Sequence, residues 1–101
     1  MVSTTQVQLK TAFPGTRVLI VDDEATLRHT LEGLFERVGY RTDSAGSGAE
    51  ALEILRDRPV DVVLLDLKMP GMEGTEVLEL ARSYEIHHDT IFIIMTAYGT
   101  L

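Results

Sequence analysis

The stretch Val60-Asp61-Val62-Val63-Leu64-Leu65-Asp66, followed at once by Leu67-Lys68-Met69-Pro70-Gly71-Met72-Glu73-Gly74, constrains the fold of this chain more than any other. A run of Val and Leu too short for a helix, closed by Pro and Gly, is the pattern of a strand buried on both faces of a parallel sheet. Asp66 then stands at the carboxyl end of that strand. Open α/β sheets keep their chemistry there, in the crevice outside the strand termini.

The rest of the chain supplies the neighbours such a strand needs. Val18-Leu19-Ile20-Val21 is a second short apolar run, stopped by Asp22-Asp23-Glu24. A helix follows, with Leu27, Leu31, Leu34, Phe35 and Val38 on one stripe, Arg28, His29, Glu32, Glu36 and Arg37 on the opposite face, and Gly39 as its stop. Residues 40–45 are short, polar and partly alternating, which suits an edge strand. Gly46-Ser47-Gly48 turns the chain into a second helix over 49–57, with Ala49, Leu52 and Leu55 inward and Pro59 at its exit. Thr75 can cap a third helix ending near Tyr84, its inner stripe being Val77, Leu78 and Ala81. Ile91-Phe92-Ile93-Ile94-Met95 reads as a fourth buried strand, followed by Thr96, Ala97, Tyr98 and Gly99. Strands alternating with helices through short links give a parallel sheet with right-handed crossovers. A sheet closed at Met95 would leave that apolar strand on an edge with nothing evident to cover it.

Composition narrows the class. The 101 residues suffice for one small domain, and residues 1–16, rich in Ser, Thr and Gln with a turn at Phe13-Pro14-Gly15, are expected to form a flexible leader before a domain over 17–101. With 16 acidic against 9 basic residues the net charge is −7, which opposes direct nucleic-acid binding and favours a protein-facing role. The absence of cysteine removes disulfides and thiolate sites and fits a reducing compartment. No stretch approaches the roughly 20 apolar residues of a membrane span, and residues 1–8 lack the pattern of a signal peptide. The expectation is a cytoplasmic domain with no membrane contact.

In a parallel sheet the ends of the first, third and fourth strands share one rim, so Asp22, Asp23, Asp66 and Thr96 are expected to meet there. Two like charges about 4 Å apart repel by about 4 kcal/mol at an effective dielectric near 20, so three carboxylates this close call for a cation or shifted pKa values. Oxygen ligands with room for water suit Mg²⁺. An Asp beside such an ion can attack phosphorus, with Thr96 reaching the phosphoryl oxygens. Taken singly, each residue also has a plain structural reading: Asp22-Asp23-Glu24 as a helix N-terminus, Asp66 as a turn former, Thr96 as a cap.

The segments Val-Leu-Ile-Val-Asp22-Asp23-Glu24, Leu-Leu-Asp66-Leu-Lys-Met69-Pro70-Gly-Met-Glu-Gly74 and Met95-Thr96-Ala97-Tyr98-Gly99 resemble, in order and spacing, the three motif regions of the receiver domains of two-component response regulators, the CheY-like fold. The likeness runs from about Arg17 to the last residue and is similar above all to receivers of NtrC-type activators and to single-domain phosphorelay receivers. It implies a doubly wound sheet of order 2-1-3-4 and a phosphoacceptor at Asp66, supplied by a sensor histidine kinase or a phosphotransfer protein. It further implies Mg²⁺ held by Asp23, Asp66 and the main-chain carbonyl of Lys68, with Asp22 assisting through water. Thr96 would act as the switch that contacts the phosphoryl group, Ala97 would leave space for its approach, and an output domain would belong to the parent protein.

The family also carries a Lys at the end of a fifth strand, and a last helix. The lysines here are Lys10 and Lys68, neither of them after the fourth strand. The chain therefore reads as a receiver lacking its fifth strand and last helix, expected to accept phosphate poorly and to self-associate through the exposed flank. Lys68 and Tyr98 flank the path of attacking water in this family and are expected to slow hydrolysis in an intact parent.

Other readings remain in play. Gly46-Ser47-Gly48-Ala49-Glu50-Ala51 fits the dinucleotide pattern G-x-G-x-x-A, with Asp66 at a distance suited to a ribose, although the strand before it is polar and Asp22-Asp23 would go unexplained. A haloacid-dehalogenase-like phosphohydrolase wants a second Asp where this chain has Lys68. A pseudo-receiver serving only as an interaction surface need not bind Mg²⁺. His87-His88 in a link and His29 on a polar helix face read as solvated side chains, and Met69, Met72 and Met95 as packing residues.

Overall fold

Alternation of apolar residues on two faces is what organises the sheet. The computed structural model describes residues 15–66, 76, 77, 79, 82 and 89–95. Outside them lie most of the expected leader, the Pro-Gly turn after Asp66, the Thr75 cap with Leu78 and Ala81, the His87-His88 link, and Thr96 to Leu101. The described elements run β1 (Arg17–Val21), α1 (Ala25–Arg37), β2 (Arg41–Ala45), α2 (Gly48–Asp57), β3 (Val62–Asp66) and β4 (Ile91–Met95). All pairings are parallel and the strand order is β2-β1-β3-β4. This is the order expected from sequence, with the polar β2 on one edge.

Period two in β1 and β3 sends side chains to opposite faces. Leu19, Val21, Val63 and Leu65 enter one core with Ala51, Leu52 and Leu55 of α2 and with Val77. Val18, Ile20 and Leu64 enter the other, against the half-buried Leu31 and Phe35 of α1 and Tyr40. Burying a Val or Leu side chain in full contributes about 1.5–3 kcal/mol, and β1 and β3 supply side chains of this kind to both cores.

The helix ends follow from their residues. Gly39 adopts φ 97°, and behind it the Tyr40 N–H donates to the Phe35 carbonyl and the Gly39 N–H to the Glu36 carbonyl, both at 3.1 Å. That is a Schellman stop, in which only Gly takes the left-handed position without strain. Its usual apolar contact is present as the stacking of Phe35 on Tyr40, with ring centroids 5.8 Å apart. At the start of α2 the Ser47 hydroxyl accepts from the Glu50 N–H at 3.2 Å.

Three expectations are corrected. Leu27 and Leu34, assigned to the inner stripe of α1, are 37% and 50% exposed, and α1 has no fully buried residue. The apolar contact of the helix with the Val18, Ile20 and Leu64 cluster runs through Leu31 and Phe35, and Glu36 accepts from the Thr42 hydroxyl of β2 at 2.6 Å. Ala49 faces solvent: the buried stripe of α2 is Gly48, Ala51, Leu52 and Leu55, at i, i+3, i+4 and i+7, and Ala49 falls beside it. β4 is not a buried strand: Ile91, Ile93 and Ile94 are exposed. Below α1 a cleft of about 510 Å³ opens between Phe35, Tyr40, Val62, Leu64, Ile91 and Ile93.

Candidate metal centre and phosphoacceptor site

Asp22 follows β1 directly and Asp66 is the last residue of β3, adjacent strands in register from Val18↔Val62 to Val21↔Leu65. Parallel pairing therefore brings both to one rim. One carboxylate oxygen each from Asp22, Asp23 and Asp66 lies within 4.8 Å of the others. Asp22 is buried at 5% exposure, Asp66 at 9% sits between buried and half-buried, and Asp23 is exposed.

The turn from β1 into α1 is built on Asp22. Its N–H donates to the Ala45 carbonyl at 3.1 Å, and its Oδ1 accepts from the Glu24 N–H at 2.9 Å. Its main-chain carbonyl accepts from Arg28 Nη1 at 2.7 Å. Burial holds the Asp22 carboxyl above the ordinary carboxylate range; the Glu24 amide draws it down, and the charges of Asp66, Asp23 and Glu24 push it up again. The shift is set first by burial, and the neighbouring carboxylates add to it, so a cation placed among them would favour the charged form of Asp22. The donor set fits a hard divalent ion: three carboxylates, one of them open to solvent so that water can complete the shell.

Of the residues expected at the site, Asp22, Asp23 and Asp66 are brought together. Lys68, Thr96 and Ala97 lie outside the described residues, as does Tyr98. Sequence reasoning missed Arg28, which it placed on the solvated face of α1. The helical period carried no sign that a donor six residues on would turn back to the strand end.

The dinucleotide pattern has another use in the fold. Gly46 donates its N–H to Glu50 Oε1 at 2.9 Å and Ser47 caps α2, so the helix N-terminus is occupied by the chain's own side chains. β2 before it is an edge strand, away from the point where strand order reverses.

Comparison with known proteins shows the family of the chain. Residues 18–101 match the response regulator receiver domain, and the chain belongs to that family. It is 45% identical over 85 residues to sporulation initiation phosphotransferase F of Bacillus subtilis, a match spanning 84% of this chain and 67% of that protein. It is 44% identical over 83 residues to the regulatory protein AtoC of Escherichia coli, covering 82% of this chain but 18% of that longer protein. Among solved structures, the response regulator TrrA of Thermotoga maritima, in complex with Mg(2+)-BeF, superposes with a TM-score of 0.75 at 38% identity, covering 83% of this chain and 71% of that one.

Proposed function

We propose that this chain is a phosphoacceptor module in which Asp66 takes a phosphoryl group from a phosphohistidine on a histidine kinase or phosphotransfer protein. The observation that carries the reading is the meeting of Asp22, Asp23 and Asp66 within 4.8 Å at the carboxyl ends of adjacent parallel strands. In the transfer, an Asp66 carboxylate oxygen attacks phosphorus, a P–O bond forms as the P–N bond to the donor imidazole breaks, and the imidazole leaves with a proton from solvent. Phosphoryl transfer asks a protein mainly for positioning and charge compensation. Asp22, Asp23 and Asp66 would hold Mg²⁺, with the Lys68 main-chain carbonyl as a further ligand. When bound, the ion offsets the charge of the phosphoryl oxygens.

Asp66 is in register with Met95 of β4, so Thr96, the next residue, is assigned to contact the phosphoryl group and Ala97 to leave it room. In a complete receiver the module would act as a switch with slow self-dephosphorylation rather than as a turnover enzyme. The match spans 67% of one curated relative and 18% of another, so an output domain in the parent protein is part of the proposal. No helix among the described residues is long and apolar enough to cross a membrane, and the domain is assigned to the cytoplasm, where phosphohistidine donors act.

The test is intact mass and peptide mapping after incubation with acetyl phosphate, with and without Mg²⁺, for the wild type and Asp66→Asn. Labelling confined to Asp66 and dependent on Mg²⁺ is expected, whatever fraction of the chains it reaches. Equal labelling of the variant, or labelling at another residue, would overturn the assignment.

A further inference from the structure

Arg28 and Gly46 form a contact that the phosphoacceptor reading does not use. The Arg28 guanidinium is half-buried and its Nη1 donates to the Asp22 carbonyl at 2.7 Å, within the range of charge-assisted bonds. The same Nη1 lies 3.1 Å from where a Cβ on Gly46 would stand, and Glu50 Oε1 lies 3.4 Å from it. Gly46 is not in the left-handed region, so the backbone at this position does not require glycine. What Gly provides here is space. Asp22 is thereby fixed at three points: its N–H on Ala45, its carbonyl on Arg28, and its carboxylate on the Glu24 N–H.

We propose that Arg28 is a positioning residue of the cation site, holding the turn between β1 and α1 through the Asp22 carbonyl, and that Gly46 leaves its guanidinium the room to do so. This rests on the assignment of Asp22, Asp23 and Asp66 as a divalent-cation site. Groups that orient metal ligands from outside the coordination shell typically cost 10–100-fold in affinity when removed. A role through charge alone has the opposite sign, because a nearby guanidinium repels a cation and its loss would tighten binding.

The experiment is a Mn²⁺ titration of the full chain, comparing the wild type with Arg28→Gln, Arg28→Lys and Gly46→Ala. Thermal unfolding is followed in parallel, and amide hydrogen exchange is measured without metal. Arg28→Gln is expected to weaken binding about tenfold. Arg28→Lys, which keeps a cationic donor, should recover part of the loss. Gly46→Ala, which displaces the guanidinium by a few tenths of an ångström, should lose less than Arg28→Gln. In metal-free protein Arg28→Gln should speed exchange at Glu24, whose N–H depends on the Asp22 carboxylate, and leave Leu64 and Leu65 unchanged. Unchanged or tighter Mn²⁺ binding in Arg28→Gln overturns the proposal, as does unchanged exchange at Glu24. A wild type without saturable binding would instead refute the cation-site reading itself, a result distinguishable from the other two.

Discussion

Replacing Asp22 by Asn should stabilise the metal-free protein at neutral pH. Asp22 carries a raised pKa in the folded state, so the folded state holds its proton more tightly than the unfolded chain does. Its contribution to stability is fully present below the ordinary value of 3.8 and is lost as pH rises through the folded value. At pH 7 the charged side chain therefore destabilises the fold. Burial is the main cause of the shift, and repulsion between charges within about 5 Å, on the order of 3 kcal/mol at an effective dielectric near 20, adds to it. That figure applies best to Asp22 with Asp66, both little exposed; Asp23 is in solvent and its share is screened. After relaxation and partial hydration, a net gain of about 1–2 kcal/mol is reasonable for Asn, which keeps an oxygen able to accept from the Glu24 N–H. Urea unfolding in EDTA, followed by far-UV circular dichroism at pH 3 and pH 7, measures it. The variant should exceed the wild type at pH 7 and match it at pH 3. A variant less stable at pH 7, or a difference independent of pH, would refute the reasoning.

Further outcomes follow from the fold. Phe35→Ala removes the stack on Tyr40 and part of one core and should cost about 2–3 kcal/mol, whereas Leu34→Glu, on the exposed flank of the same helix, should stay within about 0.5 kcal/mol, both read by chemical denaturation. Gly39→Ala forces a side chain into φ 97° and should lower stability by roughly 1–2 kcal/mol in the same assay. Ser47→Ala removes the hydroxyl that caps α2 and should cost about 1 kcal/mol, with faster amide exchange at Glu50.

Much of this architecture is legible in the sequence because parallel strands announce themselves as short Val, Ile and Leu runs. Val18 to Val21 and Val62 to Leu65 occupy the centre of the sheet, and the polar Arg41–Ala45 lies at its edge. The acidic rim was readable for the same reason: once strands are parallel, residues that end them must meet. What could not be read depends on how wide a face a neighbour covers. Leu27 and Leu34 share a helical stripe with Leu31 and Phe35, and nothing in the period tells which members the sheet reaches. Arg28 is a case of the same kind. Its neighbours in sequence make it a solvated charge, yet in the fold its Nη1 donates to the Asp22 carbonyl at 2.7 Å.

The most direct measurement of the site is ¹⁹F NMR of the full chain with beryllofluoride, which mimics the phosphoryl group, in the presence and absence of Mg²⁺. Bound resonances that need Mg²⁺ and disappear in Asp66→Asn are expected if Asp66 accepts phosphate beside a cation held by Asp22 and Asp23. Bound resonances that persist without Mg²⁺ or in Asp66→Asn, or none in the wild type at saturating Mg²⁺, would contradict it.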